Sequence, residues 1–166
     1  MMRIKKVKRL LWCTSLVTLG LLLSNGAGLA AVKMVKSQTI YIPSYANVIS
    51  GPPIYMVVPL RANLVIHNTD PSQAITVARI DEYDTEGKKV SSYLTAPVVL
   101  NPMGAMRVVV KESKKEAEGL GANFIIQWQA EKKVTEPIIE CLIIGSLGAQ
   151  GFSFTTQGRV TQEQTE

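Results

Sequence analysis

The sequence predicts an all-β protein, an antiparallel β-sandwich of about seven to nine strands that follows an N-terminal signal peptide. Two observations predict the sandwich. Apolar and polar residues alternate with a period of two along most of residues 38–158, and a helical period is nearly absent. Clusters of Gly, Pro, Asn and Asp separate the alternating segments at short intervals, as turns do in a sandwich. A third observation, the composition of the N-terminal segment, predicts export.

Residues 1–30 have the order of a secretory signal peptide, with cleavage predicted after Ala30. MMRIKKVKR carries five basic residues and no acid, an uncharged apolar run follows, and SNGAGLAA supplies small residues. No charge lies between Arg9 and Lys33, so an uncleaved membrane anchor over residues 10–32 stays open as the alternative. Under either interpretation the rest of the chain is exported and is periplasmic or extracellular. Contact with the membrane is expected only through this N-terminal segment.

The leader carries the excess of positive charge. The chain has 18 Lys and Arg against 13 Asp and Glu, and five of the basic residues precede residue 31, so 13 of each sign remain. A formally neutral domain lacks the clustered Lys and Arg that phosphate backbones require, so no nucleic-acid partner is expected. The exported part of about 136 residues fits one domain. We expect a linker over residues 31–37, the sandwich over 38–158 and a flexible tail over 159–166.

The individual strands follow from alternation and from the turns between them. QTIYIP and LRANLVIHN place apolar residues on one face, and SGPP and NTDP close strands, because Asn and Asp bond their own backbone and Pro fixes φ. NPMG is a further turn, and NFIIQWQA gives the clearest alternation. IIECLII is apolar on both faces, as a central covered strand is. The charged segment 111–121 ends in glycine and is predicted to be a loop. The predicted strands cover residues 38–43, 60–68, 74–84, 90–94, 106–110, 123–130, 138–144 and a last segment around Phe152 and Phe154. Residues 45–49 are a candidate for a further short strand, and residues 98–100 lead into the NPMG turn.

The stretch RIDEYDTEGKKV at residues 79–90 places four carboxylates just ahead of a glycine. A calcium loop that starts at Glu82 would use Asp84 and Glu86, but the bidentate position falls on Tyr93, so these three acids are only a weak surface calcium candidate. No other metal site is expected.

Catalysis by these acids is the second interpretation of the stretch. A cryptic hydrolase would use Asp81, Glu82 or Asp84, yet Asp81 and Asp84 point to opposite faces of a strand. The third interpretation, a β-hairpin, fits best. Asp84 to Gly87 then form its tight turn, the carboxylates lie on the surface, and Val90 begins the return strand.

Other catalytic and cofactor sites lack their residues. His67 is the only histidine, and Cys141 is the only cysteine after cleavage, which excludes blue copper, multi-ligand zinc and an internal disulfide. Cys141 lies between Ile139 and Ile143 on one strand face and is predicted to be a buried, inert thiol. No cofactor is expected. The glycines from Gly145 to Gly151 form either a structural bend or a recognition surface lined by backbone at Gly148, Gln150 and Gly151.

Six segments together resemble one protein family. They are IYIPSY at 40–45, IHNTDP at 66–71, YDTEGK at 83–88, GANFIIQW at 121–128, EPIIE at 136–140 and GAQGFSF at 148–154. In this order they resemble exported bacterial proteins that are grouped as domain of unknown function number 3124, over about residues 38–158. The chain more loosely resembles immunoglobulin-like envelope modules, which implies an immunoglobulin-like sandwich. The resemblance implies no catalytic residue and no function.

Together these observations favour a non-catalytic binding or scaffolding module of the cell envelope. The expected contact surface is an exposed strand edge or loop end that adds a peptide strand, with an envelope protein or peptide as the partner. Its candidate residues are Tyr41, Tyr45, Tyr55, Gly148, Gln150 and Gly151. Two alternatives stay open, a module that binds carbohydrate or another small ligand and the hydrolase of the carboxylate stretch.

Overall fold

The structure, a computed structural model, describes residues 32–49, 51, 55–110 and 123–165. The predicted signal peptide and the charged segment 111–121 lie outside these residues. In the described part of the chain, no helix is long and apolar enough to cross a membrane. The described residues form eleven strands: β1 (Met34–Pro43), β2 (Asn47–Ile49), β3 (Val57–His67), β4 (Ile75–Tyr83), β5 (Lys89–Ser92), β6 (Val98–Leu100), β7 (Ala105–Val109), β8 (Asn123–Thr135), β9 (Ile138–Leu147), β10 (Gln150–Gln157) and β11 (Arg159–Gln164).

These strands form two sheets in which every pairing is antiparallel. Sheet 1 has the order β11-β1-β8-β4-β5, and β6 pairs with the other end of β4. Sheet 2 has the order β10-β9-β3-β2, and β7 also pairs with β3. The predicted antiparallel sandwich is therefore confirmed. The strand number exceeds the predicted seven to nine, because β11 forms in the predicted tail and short pieces such as β6 pair on their own.

The core lies between the sheets and is built from the inward residue of each alternating pair. Phe124, Ile126 and Trp128 of β8 are buried from sheet 1, and Cys141 and Ile143 of β9 meet them from sheet 2. Each such aromatic or branched side chain contributes about 1.5–3 kcal/mol when it leaves water. One prediction for this region is wrong. Strand β9 is central in its sheet, but its outer face is uncovered in the described residues, so Ile138 and Ile144 are exposed.

The turn between β3 and β4 is polar and partly buried, and it connects the two sheets at one end of the sandwich. Asn68 donates from Nδ2 to the backbone oxygens of Gln73 (2.8 Å) and Asn101 (2.9 Å). The Asp70 carboxylate accepts from the backbone amides of Ser72 (2.9 Å) and Thr135 (3.0 Å), among others. The Ser72 and Thr135 amides are the largest of the contacts that hold the pKa of Asp70 at about 2, below its ordinary 3.8. The turn predicted from NTDP thus fastens the β3–β4 connection to the end of β8.

Gly158 is the point at which the chain crosses from sheet 2 to sheet 1. Strand β10 pairs with β9, and β11 directly after Gly158 pairs with β1. The Gly158 amide donates to the backbone oxygen of Ile139 at 3.1 Å. A Cβ at Gly158 would lie 2.5 Å from Cγ2 of Ile40, so the crossing is tight enough to require glycine.

The structure corrects both predicted ends of the domain. Residues 159–164 are the paired strand β11 where a flexible tail was predicted, since β1 offers them a free edge. Part of the predicted linker 31–37 belongs to β1, which begins at Met34, because Val35 reaches the core and is fully buried. A polar cluster joins the two ends: Lys33 Nζ lies 2.5 Å from Glu163 Oε2, and Gln38 donates to both Glu136 (2.6 Å) and Glu163 (3.0 Å).

Candidate functional site

Among the described strands, β10 is the outermost strand of sheet 2, and only one of its two backbone edges is paired. Its eight residues, QGFSFTTQ, include no charge and no proline, and all but Thr156 are exposed. The other edge strands are shorter, and several carry charge, such as Lys89 in β5, Arg107 in β7 and Arg159 in β11. Proteins usually protect such an edge with charge, proline or a short strand. Among the described edge strands, β10 is therefore the one best suited to pair with another strand.

Two phenylalanines give the β10 edge an apolar face. Phe152 and Phe154 are opposite Gly145 and Ile143 of β9, on the side of sheet 2 that faces the core. They nevertheless remain 39% and 38% exposed. The ring of Phe154 lies 6.1 Å from that of Tyr45, which is itself 40% exposed. Phe152, Phe154 and Tyr45 are the aromatic group of the β10 edge.

Tight local packing holds this aromatic group in place. A Cβ on Gly145 would lie 2.5 Å from the Cζ atom of Phe152 and 2.7 Å from Cδ2 of Leu60. The missing side chain of Gly145 thus makes the space that Phe152 fills. Next to Phe154, the hydroxyl of Thr156 donates to the backbone oxygen of Pro43 at 2.6 Å, which fixes β10 to the segment that carries Tyr45.

The structure brings together some of the predicted contact residues and separates others. Gln150 and Gly151 begin β10, and Gly148 lies in the two-residue loop that precedes it, with φ of +60°. A positive φ at the first loop position is the type II′ pattern that matches strand twist. Tyr45 joins these residues through Phe154, whereas Tyr41 lies on the outer face of sheet 1 and Tyr55, 73% exposed, precedes β3.

Phe152 and Phe154 are predicted from the sequence only as markers of the last strand and not as contact residues. Alternation places both on the inward face of the last strand, and a core position is the usual inference from that pattern. The feature of the sequence that indicates an edge strand is the neutral, proline-free composition of QGFSFTTQ.

The hairpin prediction for residues 79–90 is confirmed at its turn. Asp84 Oδ1 accepts from the amides of Glu86 (3.0 Å) and Lys88 (2.8 Å), and the Gly87 amide donates to the Asp84 backbone oxygen at 3.0 Å. Gly87 has φ of +79°, and β5 begins at Lys89. The turn of this hairpin therefore uses Asp84 as a structural residue.

The other two carboxylates of the stretch are buried, which corrects the expectation that they lie on the surface. Asp81 is 0% exposed on the outer face of sheet 1, where Ser92 donates to Oδ1 at 2.5 Å and Lys89 Nζ lies 2.9 Å from the same atom. Arg79 Nε lies 3.3 Å from Oδ2. Burial favours a higher pKa for Asp81, but Ser92, Lys89 and Arg79 together lower the pKa below its ordinary value.

Glu82 points the opposite way, toward the core. It is 4% exposed and is opposite Phe124 of β8, because it shares the strand face of Ile80. Tyr93 donates to Oε2 at 2.6 Å, while Oε1 has no hydrogen-bond partner among the residues that the structure describes. Burial raises the pKa of Glu82, and the Tyr93 bond lowers it only in part. The alternation Ile80-Asp81-Glu82 would have predicted this placement from the sequence.

These placements bear on the calcium and hydrolase candidates. Glu82 faces the core, Asp84 binds its own turn and Glu86 is exposed, so the structure does not gather the three calcium candidates. No group of three or more His, Cys, Asp or Glu that could hold a metal occurs in the described ranges. The proposed hydrolase acids Asp81 and Glu82 lie on opposite faces of β4, each with its own partners.

His67 and Cys141 lie in structural positions. His67 is exposed at the end of β3, beside the turn that follows. Cys141 is fully buried, as predicted, and burial raises the pKa of its thiol to about 11. A thiol with so high a pKa is protonated at neutral pH and is a poor nucleophile.

Comparison with known proteins places the chain in a family of unassigned function. The family described as Protein of unknown function (DUF3124) matches residues 37–161, which is most of the chain. No curated protein matches this chain. The crystal structure of Thermotoga maritima 1070 is similar over 79% of this chain and 97% of its own, with 14% sequence identity and a TM-score of 0.44.

Proposed function

This chain belongs to the DUF3124 family of proteins of unknown function, and on that premise we propose that it is an exported, non-catalytic module that binds an extended peptide segment of another envelope protein. The segment adds as a new strand along the free edge of β10. The carrying observation is the long, neutral, proline-free β10 edge with its exposed aromatic group. The basic and apolar leader supports export.

Backbone bonding supplies the affinity in this proposal. An eight-residue edge strand offers N–H and C=O groups along its unpaired side, and an added strand satisfies them without regard to its sequence. Because β10 carries no charge, the incoming strand needs none, and a charged strand would lose hydration without compensation.

Side chains supply the selectivity. Phe152 and Phe154 present their rings two residues apart on one face, and Tyr45 borders Phe154. Alternate residues of an added strand fall on this same face, so a peptide with apolar side chains at every second position covers the rings. Covering a partly exposed Phe contributes on the order of 1 kcal/mol. The segment that fits is thus neutral, extended and alternately apolar.

A defined peptide tests the proposal directly. Ten-residue peptides with this pattern are selected by display on the purified exported protein, and the affinity of a selected peptide is measured by fluorescence anisotropy. Methyl groups are then placed on alternate backbone nitrogens of the peptide. Strand addition uses only every second amide, so one methylated set loses binding and the other keeps it. Equal effects of both sets would exclude an added strand.

Variants of the protein locate the site. Ser153→Lys places a charge in the middle of β10 and is expected to weaken the binding of the peptide by at least about tenfold. Thr95→Lys, at an exposed bend outside both sheet edges, is the matched control and leaves binding unchanged. If instead two copies of the protein pair through β10, the wild type sediments as a dimer, Ser153→Lys is a monomer and no peptide is selected, which overturns the proposal.

A further inference from the structure

A second surface, the outer face of sheet 1, carries an unusual concentration of glutamine. Strands β11, β1 and β8 line a groove of about 390 Å³, and five of the chain's eight glutamines line it. The outward ones are Gln127 and Gln129 of β8 with Gln162 and Gln164 of β11. We propose that this groove binds an uncharged glycan chain.

The strand register arranges the polar side chains in two rows. In the first row Ser37 of β1 lies between Gln164 and Gln129, and in the second Thr39 lies between Gln162 and Gln127. Neighbouring strands lie about 4.8 Å apart, and the rows are two residues apart along each strand, so the groups form a regular grid. A repeating, extended ligand matches such a grid better than a compact one does.

The chemistry of the grid selects a hydroxyl-rich ligand. Each glutamine amide offers a donor and an acceptor, and each Ser or Thr hydroxyl offers both as well. Sugar hydroxyl groups likewise donate and accept. The hydrogen bonds between side chains of the groove are long, 3.2 Å from Ser37 to Gln164 and 3.4 Å from Gln127 to Thr39. Replacing them with hydrogen bonds to a ligand therefore costs little free energy.

Charge in the groove argues against an ionic ligand. Among the described residues that line it, Glu163 alone is ionisable, and its carboxylate is paired with Lys33. Two arginines border the site without lining the groove: Arg79 is opposite Gln127 and is paired with Asp81, and Arg159 is opposite Tyr41. A phosphate or sulfate would need Arg or Lys at the floor of the groove. Tyr41 follows Thr39 on the same strand face and is 37% exposed, which places an aromatic ring in line with the rows for the apolar face of a sugar.

Neutral hexasaccharides of glucose and of N-acetylglucosamine test this inference by isothermal titration against the exported protein. At least one is expected to bind, and Gln129→Ala or Gln162→Ala weakens it about three- to tenfold, as the loss of one or two hydrogen bonds does. Tyr41→Ala weakens it similarly. The matched control is Gln150→Ala, an exposed glutamine of β10, which leaves sugar binding unchanged.

Side-chain amide signals in NMR spectra give a measurement that does not depend on the variants. The added sugar is expected to shift the signals of Gln127, Gln129, Gln162 and Gln164 and not that of Gln150. Absence of binding by both hexasaccharides at millimolar concentration overturns the inference, as does tighter binding of a sulfated oligosaccharide. Ser153→Lys changes only the β10 edge that is proposed to bind peptide. A negative result for peptide binding can therefore be distinguished from a negative result for sugar binding.

Discussion

The ring of Phe152 fills the space that the missing side chain of Gly145 leaves on the neighbouring strand, with 2.5 Å between Cζ and the position of an added Cβ. The two residues are directly opposite each other in the β9–β10 pairing. An aromatic residue next to a strand glycine restores the packing that the glycine lacks, so the edge strand gains stability without charge.

Gly145→Ala is expected to destabilise the protein by about 1–3 kcal/mol, because the new methyl group meets both Phe152 and Leu60. Urea unfolding measures the loss. Gly151→Ala is the matched control, since its Cβ would have no neighbour closer than 3.9 Å. In the double variant with Phe152→Ala, the clash is partly relieved and the two effects are not additive. Strict additivity would show that the ring does not lie where the structure places it.

Asp70 makes the stability of the folded protein depend on pH in the acidic range. Its folded pKa of about 2 lies below the ordinary 3.8, so the carboxylate stabilises the protein above about pH 4 and this contribution is lost as the pH falls toward 2. The shift corresponds to about 2 kcal/mol. Asp70→Asn is expected to lose about this amount at pH 7 and to flatten the acid limb of a stability profile measured by urea unfolding. Glu86→Gln, an exposed residue of the hairpin turn, is the control and changes little. An unchanged acid limb in Asp70→Asn would contradict the assignment.

Glu82 changes the stability of the protein with pH in the direction opposite to Asp70. Its pKa is raised in the folded state, so its favourable contribution is complete below its ordinary value of 4.5 and is lost as the pH rises through the folded pKa. Glu82→Gln stays neutral and keeps an acceptor for Tyr93. It is expected to be more stable than the wild type at pH 7.5, by about 1 kcal/mol, and equal to it at pH 4. Thermal unfolding at both pH values measures this difference.

Tyr93→Phe provides the complementary comparison for Glu82. It removes the hydroxyl that donates to Oε2 and leaves the buried carboxylate without this partner. The loss of stability is therefore expected to be larger at pH 7.5 than at pH 4. A Glu82→Gln variant that is less stable than the wild type at pH 7.5 would show that the ionised carboxylate has a favourable partner.

The turn that joins β6 to β7 contains one strained backbone conformation that a substitution can relieve. Met103 is 69% exposed and has φ of +59°, a conformation that costs a residue with a side chain about 1–2 kcal/mol. Met103→Gly is expected to raise the melting temperature by about 2–4 °C after the greater flexibility of glycine in the unfolded chain is subtracted. Gly104→Ala is expected to lower it, since its Cβ would lie 2.9 Å from the Asn101 backbone oxygen. Calorimetry of both variants checks the opposite signs.

Local chemistry made much of the fold predictable. Period-two alternation located the strands, and Asn, Asp and Gly identified the turns at Asp70 and Gly87, because these residues act through bonds with their own neighbours. The ends of the domain were not predictable in this way. Arg159–Gln164 is polar apart from Val160, and the free edge of β1, far away in sequence, makes it a strand.

The candidate sites were also only partly predictable from the sequence. Alternation alone would have placed Glu82 in the core, yet the neighbouring acids suggested a surface. Phe152 and Phe154 look like core residues until the sheet order shows that β10 is an edge. The glutamine groove depends on the register between strands that are more than a hundred residues apart in sequence, as Ser37 and Gln164 are. Pairing between distant strands is a tertiary property, which a single sequence does not encode locally.

The pairing of β1 also sets when this protein can fold. Its neighbours in sheet 1 are β8 and β11, so the first strand of the domain waits for partners near the far end of the chain. Closing loops of that length is slow, and sheet 1 is incomplete until Gln164 is available. A chain ordered in this way cannot complete sheet 1 while it is being synthesised, and the sheet closes only after the polypeptide has emerged as far as Gln164.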